Sequence, residues 1–527
     1  MTPCFGLLIR LPLGCGCGCA ILSQHDLSTI STRLTMGTRI HSLATETLSD
    51  IFRLVVAAAT PDFWSPDSPS LRTELDRIAN APLLNLSQVC SRWHGLALNS
   101  PTFWSDVHIN GVCGSTATAL AKTIGLLSAR LEYSRDTLLS VCLTCESSRQ
   151  SPDPALFHML AQHSHRWVDL CVACSLEGLD TTVLIGRLPS LQKMVLNLPA
   201  ELKIRIPMPP ETLKFIDTTP RLNSLLLSPY LLSSEARKAV VGRKQLRSLA
   251  FQLMLPWQFQ DAISLLPKLP VTTNLSLVIN LNRKVFHHKL SDPYYRKFPL
   301  RFEFPSVTAS ISSLTCITVN SFHPRHMSFT LEQMFDSLTV PQLRQLILAC
   351  STYPQLVLEW PHSQFLALCS RSNLGSCLKT LRIAEVRITQ KKLLAVLGAL
   401  PALEVLEVGD VPQVVAEKNR RPLINDHFLR ALTGGPGRDR LIPRLSYLGC
   451  VSRLSFTHNL VVDLVTSRLR DSQGSFHFCL HPLRGALNPA VHTHLRQLAV
   501  ESHRRFVYEL GSYIQEYYQS EISPVTW

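Results

Sequence analysis

One short phrase recurs through most of this chain: a large apolar residue, two others, a large apolar residue, one other, a large apolar residue. It reads Leu138-Val141-Leu143, Trp167-Leu170-Val172, Leu191-Met194-Leu196, Leu222-Leu225-Leu227 and Leu246-Leu249-Phe251. It continues as a shortened Leu275-Leu277, then Leu314-Ile317-Val319, Leu343-Leu346-Leu348, Leu378-Leu381-Ile383, Leu403-Leu406-Val408 and Leu445-Leu448-Cys450. Several copies share a proline-containing lead-in, as LPSL, TPRL, VPQL, LPAL and IPRL. First positions lie 29, 24, 31 and 24 residues apart over the first five copies, and 42 apart between Leu403 and Leu445. One such phrase in a leucine-rich chain means nothing. Eleven in order imply a repeating unit too short to bury its own apolar edge, so successive units must stack into one continuous core.

A period of about 20–29 residues with this spacing resembles the leucine-rich repeat. The resemblance implies an α/β fold: short parallel strands alternating with helices in an irregular solenoid over 110–487, with insertions such as 281–310. Helical patterns lie between phrases, at Gln390–Leu400 and His427–Thr433. The tail from Asn488 to Ser520 reads as a helix with Leu495, Leu498, Ala499, Phe506 and Leu510 as its apolar stripe, making 488–527 a helical cap. In such a solenoid the residues between the leucines face outward. They include Gln192, Gln252, Gln345, Glu404 and Glu407, and the candidate substrate readers Lys193, Asn223, Arg247, Arg344, Lys379 and Arg382.

Ahead of the repeats, Leu48, Ile51, Phe52 and Val55 fall at helical spacing in HSLATETLSDIFRLVVAA. Glu46 and Asp50 sit near the start of that helix, where acidic groups favour the positive end of its dipole. Residues 60–70, TPDFWSPDSPS, form a proline-rich loop. A second helix is expected from Pro82, with Leu86, Val89, Trp93 and Leu96 on one face, ending at Asn99-Ser100-Pro101 because the residue before proline avoids the α region. Trp104 lies just beyond.

The words Leu43-Ala44-x-Glu46-x-Leu48-x-x-Ile51-Phe52, Leu86-Ser87-Gln88-Val89-Cys90-x-Arg92-Trp93 and Leu96-Ala97-x-x-Ser100-Pro101-x-x-Trp104 resemble an F-box, most closely the fungal kind with an insertion between its first two helices. The resemblance covers 40–108, a small all-α hook with its proline-rich insertion at about 60–80. It departs from the family at Ala44, where proline is usual; proline in a first helical turn helps but is not essential. F-boxes dock on a Skp-family adaptor and through it on a cullin, an apolar helix face entering a groove. The implied adaptor contacts are Leu43, Leu48, Ile51, Phe52, Leu86, Val89, Trp93, Leu96, Pro101 and Trp104.

Composition narrows the remaining classes. Hydrophobic residues make up 46% and charged residues 17%, which describes a folded chain with a large core. No run of about 18 apolar residues marks a membrane span. Residues 4–22 are apolar, but Arg10 and Pro12 interrupt them and no basic segment precedes them; 1–39 reads as a disordered leader. The net charge is +14, and residues 40–110 carry four arginines against seven carboxylates, so the basic excess sits in the repeats and suits an acidic partner. The 16 cysteines show no disulfide framework and suggest reduced thiols in the cytoplasm or nucleus.

Sites of chemistry are scarce. Cys142-x-x-Cys145 and Cys171-x-x-Cys174 have zinc-knuckle spacing but lie within expected strands one repeat apart, so repeat self-similarity explains them better. The loop at Thr433–Arg438 lacks the Gly-Lys-Ser/Thr ending of a phosphate loop. His158, His163 and His165 have no carboxylate or cysteine at ligand spacing. Arg237-Lys238, Arg243-Lys244 and Arg283 to Lys289 lack the interleaved aromatics of nucleic-acid readers. The expectation is a non-catalytic, cofactor-free subunit of an SCF-type ubiquitin ligase that recruits a protein substrate. A scaffold outside any ligase and a basic nucleic-acid-binding repeat protein stay open as alternatives.

Overall fold

The computed structural model describes residues 43–59, 82–110, 117–145, 151–176, 178–196, 214–227, 240, 243–253, 256–270, 273–280, 305–319, 324–351, 358–410, 422–434, 440–471, 475–483, 485–502 and 505–511. The chain divides into two compact units at Trp104/Ser105.

The first unit is helical: α1 (Thr45–Ala59), α2 (Pro82–Ser87), α3 (Ser91–Leu98) and a 3₁₀ turn at Pro101–Trp104. Leu48, Phe52, Leu83, Trp93, Ala97, Phe103 and Trp104 are its buried apolar residues. Phe52 meets Trp93 edge-on at 5.0 Å between ring centroids and lies 6.0 Å from Phe103. Trp104 folds back, its Nε1 donating to the Ala97 carbonyl at 2.8 Å. Arg92 Nη2 donates to the Leu43 carbonyl at 2.7 Å, tying α3 to the start of α1. The single helix expected from Pro82 is two. Cys90 is fully extended (φ −163°, ψ 169°) and starts α3 afresh, so Leu86 and Val89 do not continue the face that carries Trp93 and Leu96.

The second unit is mixed α/β, built on one 14-stranded sheet. Its strands are β1 (Asp106–Asn110), β2 (Leu139–Thr144), β3 (Trp167–Ala173), β4 (Lys193–Leu196), β5 (Ser224–Leu227), β6 (Ser248–Leu253) and β7 (Asn274–Asn280). They continue with β8 (Ser313–Val319), β9 (Gln345–Ser351), β10 (Thr380–Ala384), β11 (Val405–Gly409), β12 (Tyr447–Ser452), β13 (Phe476–Pro482) and β14 (Phe506–Leu510). Every pairing is parallel, and spatial order follows chain order without a skip. A doubly wound sheet reverses its order at a switch point; here each connection returns the chain to the next place in line. Two short parallel pairs, Val307–Thr308 with Leu338–Thr339 and Leu358–Glu359 with Val386–Arg387, bridge neighbouring turns away from the main sheet.

Register aligns the apolar phrases. One ladder passes through Val107, Val141, Leu170, Met194, Leu225 and Leu249, and onward through Leu275, Leu314, Leu346, Leu381, Leu406, Leu448 and Phe478. A second, two residues on, runs from Ile109 through Leu143 and Val172 to Cys450 and Leu480. Side chains two apart on a strand share a face, and both rows join one buried cluster with the inward faces of the helices, such as Leu156, Phe157 and Leu160 of α4 (Pro154–Gln162). Burying a leucine side chain is worth about 1.5–3 kcal/mol, so the stack is held by many equal small contributions.

Several expectations are corrected. Leu138 is half exposed and the core position belongs to Leu139, because the register shifts between Leu139 and Ser140. In β8 the phrase is Ile311-Leu314-Cys316, three residues earlier than expected, since Leu346 pairs with Leu314 and Leu348 with Cys316. β1, β13 and β14 add three strands to the eleven phrases, and Asp106–His108 belong to the sheet, not to the hook. The tail helix, α5 (Pro489–Glu501), ends well before Ser520: Phe506 is buried in β14, whose Leu510 pairs with Leu480. The leader 1–39, the insertion at 60–80, residues 281–304 and residues 512–527 lie outside the described residues.

Candidate interaction surfaces

Two surfaces hold the residues expected to act. On the helical unit, burial sorts the ten expected adaptor contacts. Leu48 and Phe52 are fully buried and Trp93 and Trp104 nearly so; they build the unit's own core and present no surface to a partner. Leu43, Ile51, Leu86, Leu96 and Pro101 are half-buried, and Val89 is 55% exposed. Leu54, not expected as a contact, is 53% exposed. Its signal lay in the sequence: on α1 it falls two residues after Phe52, off the buried stripe and among polar neighbours such as Arg53, which pairs with Asp50 at 3.0 Å. Leu54 and Val89 are the large apolar residues that stay more than half exposed among the described residues of this unit.

On the sheet, the residues between the ladders point away from the core. Of the six expected readers, Lys193 and Arg382 lie on this outward side within β4 and β10, while Asn223, Arg247, Arg344 and Lys379 directly precede β5, β6, β9 and β10. Lys193 and Asn223 are half-buried, Arg247 and Arg344 exposed. Lys379 and Arg382 are engaged already: Lys379 Nζ meets Glu404 Oε1 at 2.5 Å, and Arg382 Nε lies 3.4 Å from Glu407 Oε1. Glu407 is only 6% exposed. Gly449 makes room for it, since a Cβ there would fall 2.7 Å from Glu407 Cγ. Farther along, Tyr447 and His477 stack edge-on at 4.8 Å, and His477 Nε2 lies 3.4 Å from Glu509 Oε2. At the other end, burial raises the carboxyls of Asp106 and Asp169 above the usual carboxylate range, with Arg130 and Lys193 respectively opposing it.

Part of the basic excess is internal. Arg166 donates to the Thr137 carbonyl and Ser134 Oγ; Arg243 to the carbonyls of Thr219 and Ile216; Arg371 to those of Leu338 and Phe335. Arg468 donates to the carbonyls of Ile442, Leu432 and Leu441 at 2.8, 2.6 and 3.0 Å. Each acceptor set lies where the helix or loop of a preceding turn ends, and helix C-termini leave carbonyls without intrahelical partners. These guanidiniums stitch turn to turn and are not free to read a ligand. Arg243-Lys244, considered as a phosphate-binding group, is half consumed this way; Arg237-Lys238 and Arg283 to Lys289 lie outside the described residues.

The cysteine pairs separate by face. Cys142 and Cys171 are directly paired across β2 and β3 on the outward side. Their thiols hydrogen-bond and burial adds to this, holding Cys142 well above the ordinary thiol range. Cys145 and Cys174 join the core instead. Four thiols split between two faces cannot form a tetrahedral site, and no group of three metal-capable side chains converges among the described residues. His163 lies 3.5 Å from Arg166, and burial, with Arg166 adding to it, lowers its pKa. No helix among the described residues is long and apolar enough to cross a membrane. No protein-family model matches this chain, and no curated protein does.

Proposed function

We propose that this chain is the substrate-recruiting subunit of an SCF-type ubiquitin ligase, its helical unit an F-box and its sheet unit a leucine-rich repeat solenoid. The observation that carries this reading is the helical unit itself. It completes an aromatic core from Phe52, Trp93, Phe103 and Trp104, yet keeps Leu54 and Val89 in water with Leu43, Ile51 and Leu86 only half covered. Such a surface suits the groove of a Skp-family adaptor. The sequential parallel strands that follow it in the chain suit a solenoid, whose outward side would hold the protein to be modified. Ubiquitin transfer would fall to other subunits, so no nucleophile or proton-transfer group is required here.

The test is co-purification of the tagged full chain with a Skp-family adaptor and a cullin. The reading expects both to be recovered. Recovery of neither by a folded chain leaves a binding protein outside any ligase. A nucleic-acid role would instead show RNA or DNA affinity falling steeply with salt.

A further inference from the structure

The outward side of the sheet is chemically uneven. β1–β3 carry Asp106 and Asp169, and β10–β11 carry the matched pairs Lys379–Glu404 and Arg382–Glu407. From β4 to β9 the outward strand positions and the residue before each strand hold Lys193, Arg247 and Arg344 and no Asp or Glu; the rest are hydroxyls, amides and apolar groups. Arg247 and Arg344 are exposed, and neither has a carboxylate partner among the described residues. Thr273 and Ser312 stand in line between them, with Asn274 and Ser313 one residue farther along.

We propose that β6–β9 bind an extended peptide segment with two anionic side chains, one on Arg247 and one on Arg344, lying across the strands. This rests on the substrate-receptor reading and names what the recruited protein must present. Arg247 precedes β6 and Arg344 precedes β9 at equivalent ladder positions, each amide donating to the strand before it. Three steps of about 4.8 Å put them about 14 Å apart, which an extended chain rising about 3.4 Å per residue spans in four residues. The anions therefore stand at i and i+4. Residues an even number apart in an extended chain face the same way, so both acids point down onto the sheet, and residue i+2 sits over Thr273 and Ser312, which stand in line with the two arginines. The exposed Asn274 and half-buried Ser312 offer an amide and a hydroxyl to the unpaired backbone groups of an extended peptide; a helix has already satisfied its own. Guanidinium binds carboxylate and phosphate alike through paired N–H donors.

The experiment is fluorescence anisotropy with the full chain and fluorescein-labelled peptides carrying two glutamates separated by one to six Gly/Ser residues, at low salt. A second set carries two phosphoserines, which separates a constitutive acidic motif from a phosphorylation-dependent one. The tightest binding is expected with three intervening residues, with the i,i+3 and i,i+5 peptides weaker by roughly 10-fold. Arg247→Glu and Arg344→Glu should each cost about 10-fold or more, and the exposed Arg444→Glu less than about 3-fold. The proposal is overturned if no peptide binds, if affinity follows charge number regardless of spacing, or if Arg444→Glu is as damaging. It is also overturned if single-stranded RNA of equal charge competes as well as the best peptide. Each variant is also assayed for adaptor capture. Capture without spacing-selective peptide binding overturns the groove alone; selective peptide binding without capture upholds the groove and overturns the ligase reading.

Discussion

Arg468 offers the sharpest test of how the turns are joined. It is 1% exposed, and its guanidinium donates to three backbone carbonyls, those of Leu432, Leu441 and Ile442. Ile442 stands at φ 43°, a left-handed conformation that a β-branched residue adopts only under constraint. Replacing Arg468 with Met keeps the apolar stem and removes the donors. Each carbonyl left buried without a partner costs about 1–3 kcal/mol, while relief from burying a charge returns part of this. The expected net loss is about 2–4 kcal/mol. With a urea dependence of about 2 kcal/mol per molar, the unfolding midpoint monitored by far-ultraviolet circular dichroism falls by about 1–2 M. Hydrogen exchange should quicken first in Leu429–Leu432 and Ile442–Leu445. Arg444→Met, at an exposed position, should stay within about 0.5 kcal/mol of wild type. If Arg468→Met behaves like Arg444→Met in both assays, the guanidinium stitch contributes nothing and the turns are joined by apolar packing alone.

Three further outcomes follow from packing and charge. Iodoacetamide at pH 8 should alkylate half-buried Cys90 in the native chain at least about 10-fold faster than Cys316, whose thiol burial pushes up to about 12; peptide mass spectrometry showing equal modification would contradict the packing of β8. Gly449→Val should lower stability by about 1–3 kcal/mol, because the added carbons collide with the Glu407 stem; an unchanged thermal midpoint would show that the Arg382–Glu407 pair moves aside freely. Asp169 is held above the usual carboxylate range mainly by burial, so its charged form opposes folding, and the penalty grows as pH rises through its folded pKa. Asp169→Asn should therefore raise the melting temperature at pH 7, with the gain shrinking as pH falls below the ordinary aspartate range; a gain independent of pH would assign the effect to something other than ionisation.

The sheet's core was legible because its signal is periodic and redundant. Leu191, Leu222, Leu246, Leu343, Leu378 and Leu403 each reach full burial where the spacing placed them. The failures occur where the local pattern admits two frames or uses other residues. Leu138 and Leu139 are both leucines, and only the register shift beside Ser140 selects the second. Leu314-Ile317-Val319 satisfies the spacing as well as Ile311-Leu314-Cys316; pairing with β9 decides between them. β13 and β14 build their ladders from Phe476 stacked on Phe506 and Phe478 on Tyr508, at 6.3 Å in each case, so a search for leucines passes over them. On the helical unit, periodicity located the amphipathic stripe but not its direction. Leu48 and Phe52 read as contacts through the family resemblance, and they fill the unit's own core instead. The outward Arg247 and Arg344 were visible as types, but their isolation from any carboxylate depends on which strands become neighbours.

Docking of an adaptor on the exposed apolar residues of the helical unit, as proposed, is measured by direct binding of a recombinant Skp-family adaptor to the full chain. Leu54→Asp and Val89→Asp change residues that are more than half exposed, so both variants should keep wild-type circular dichroism and melting temperature. Wild type is expected to bind, and the two substitutions together to cost at least about 100-fold in affinity, as when charge enters an apolar contact. A folded wild-type chain that does not bind, or a double variant that binds as well as wild type, would contradict it.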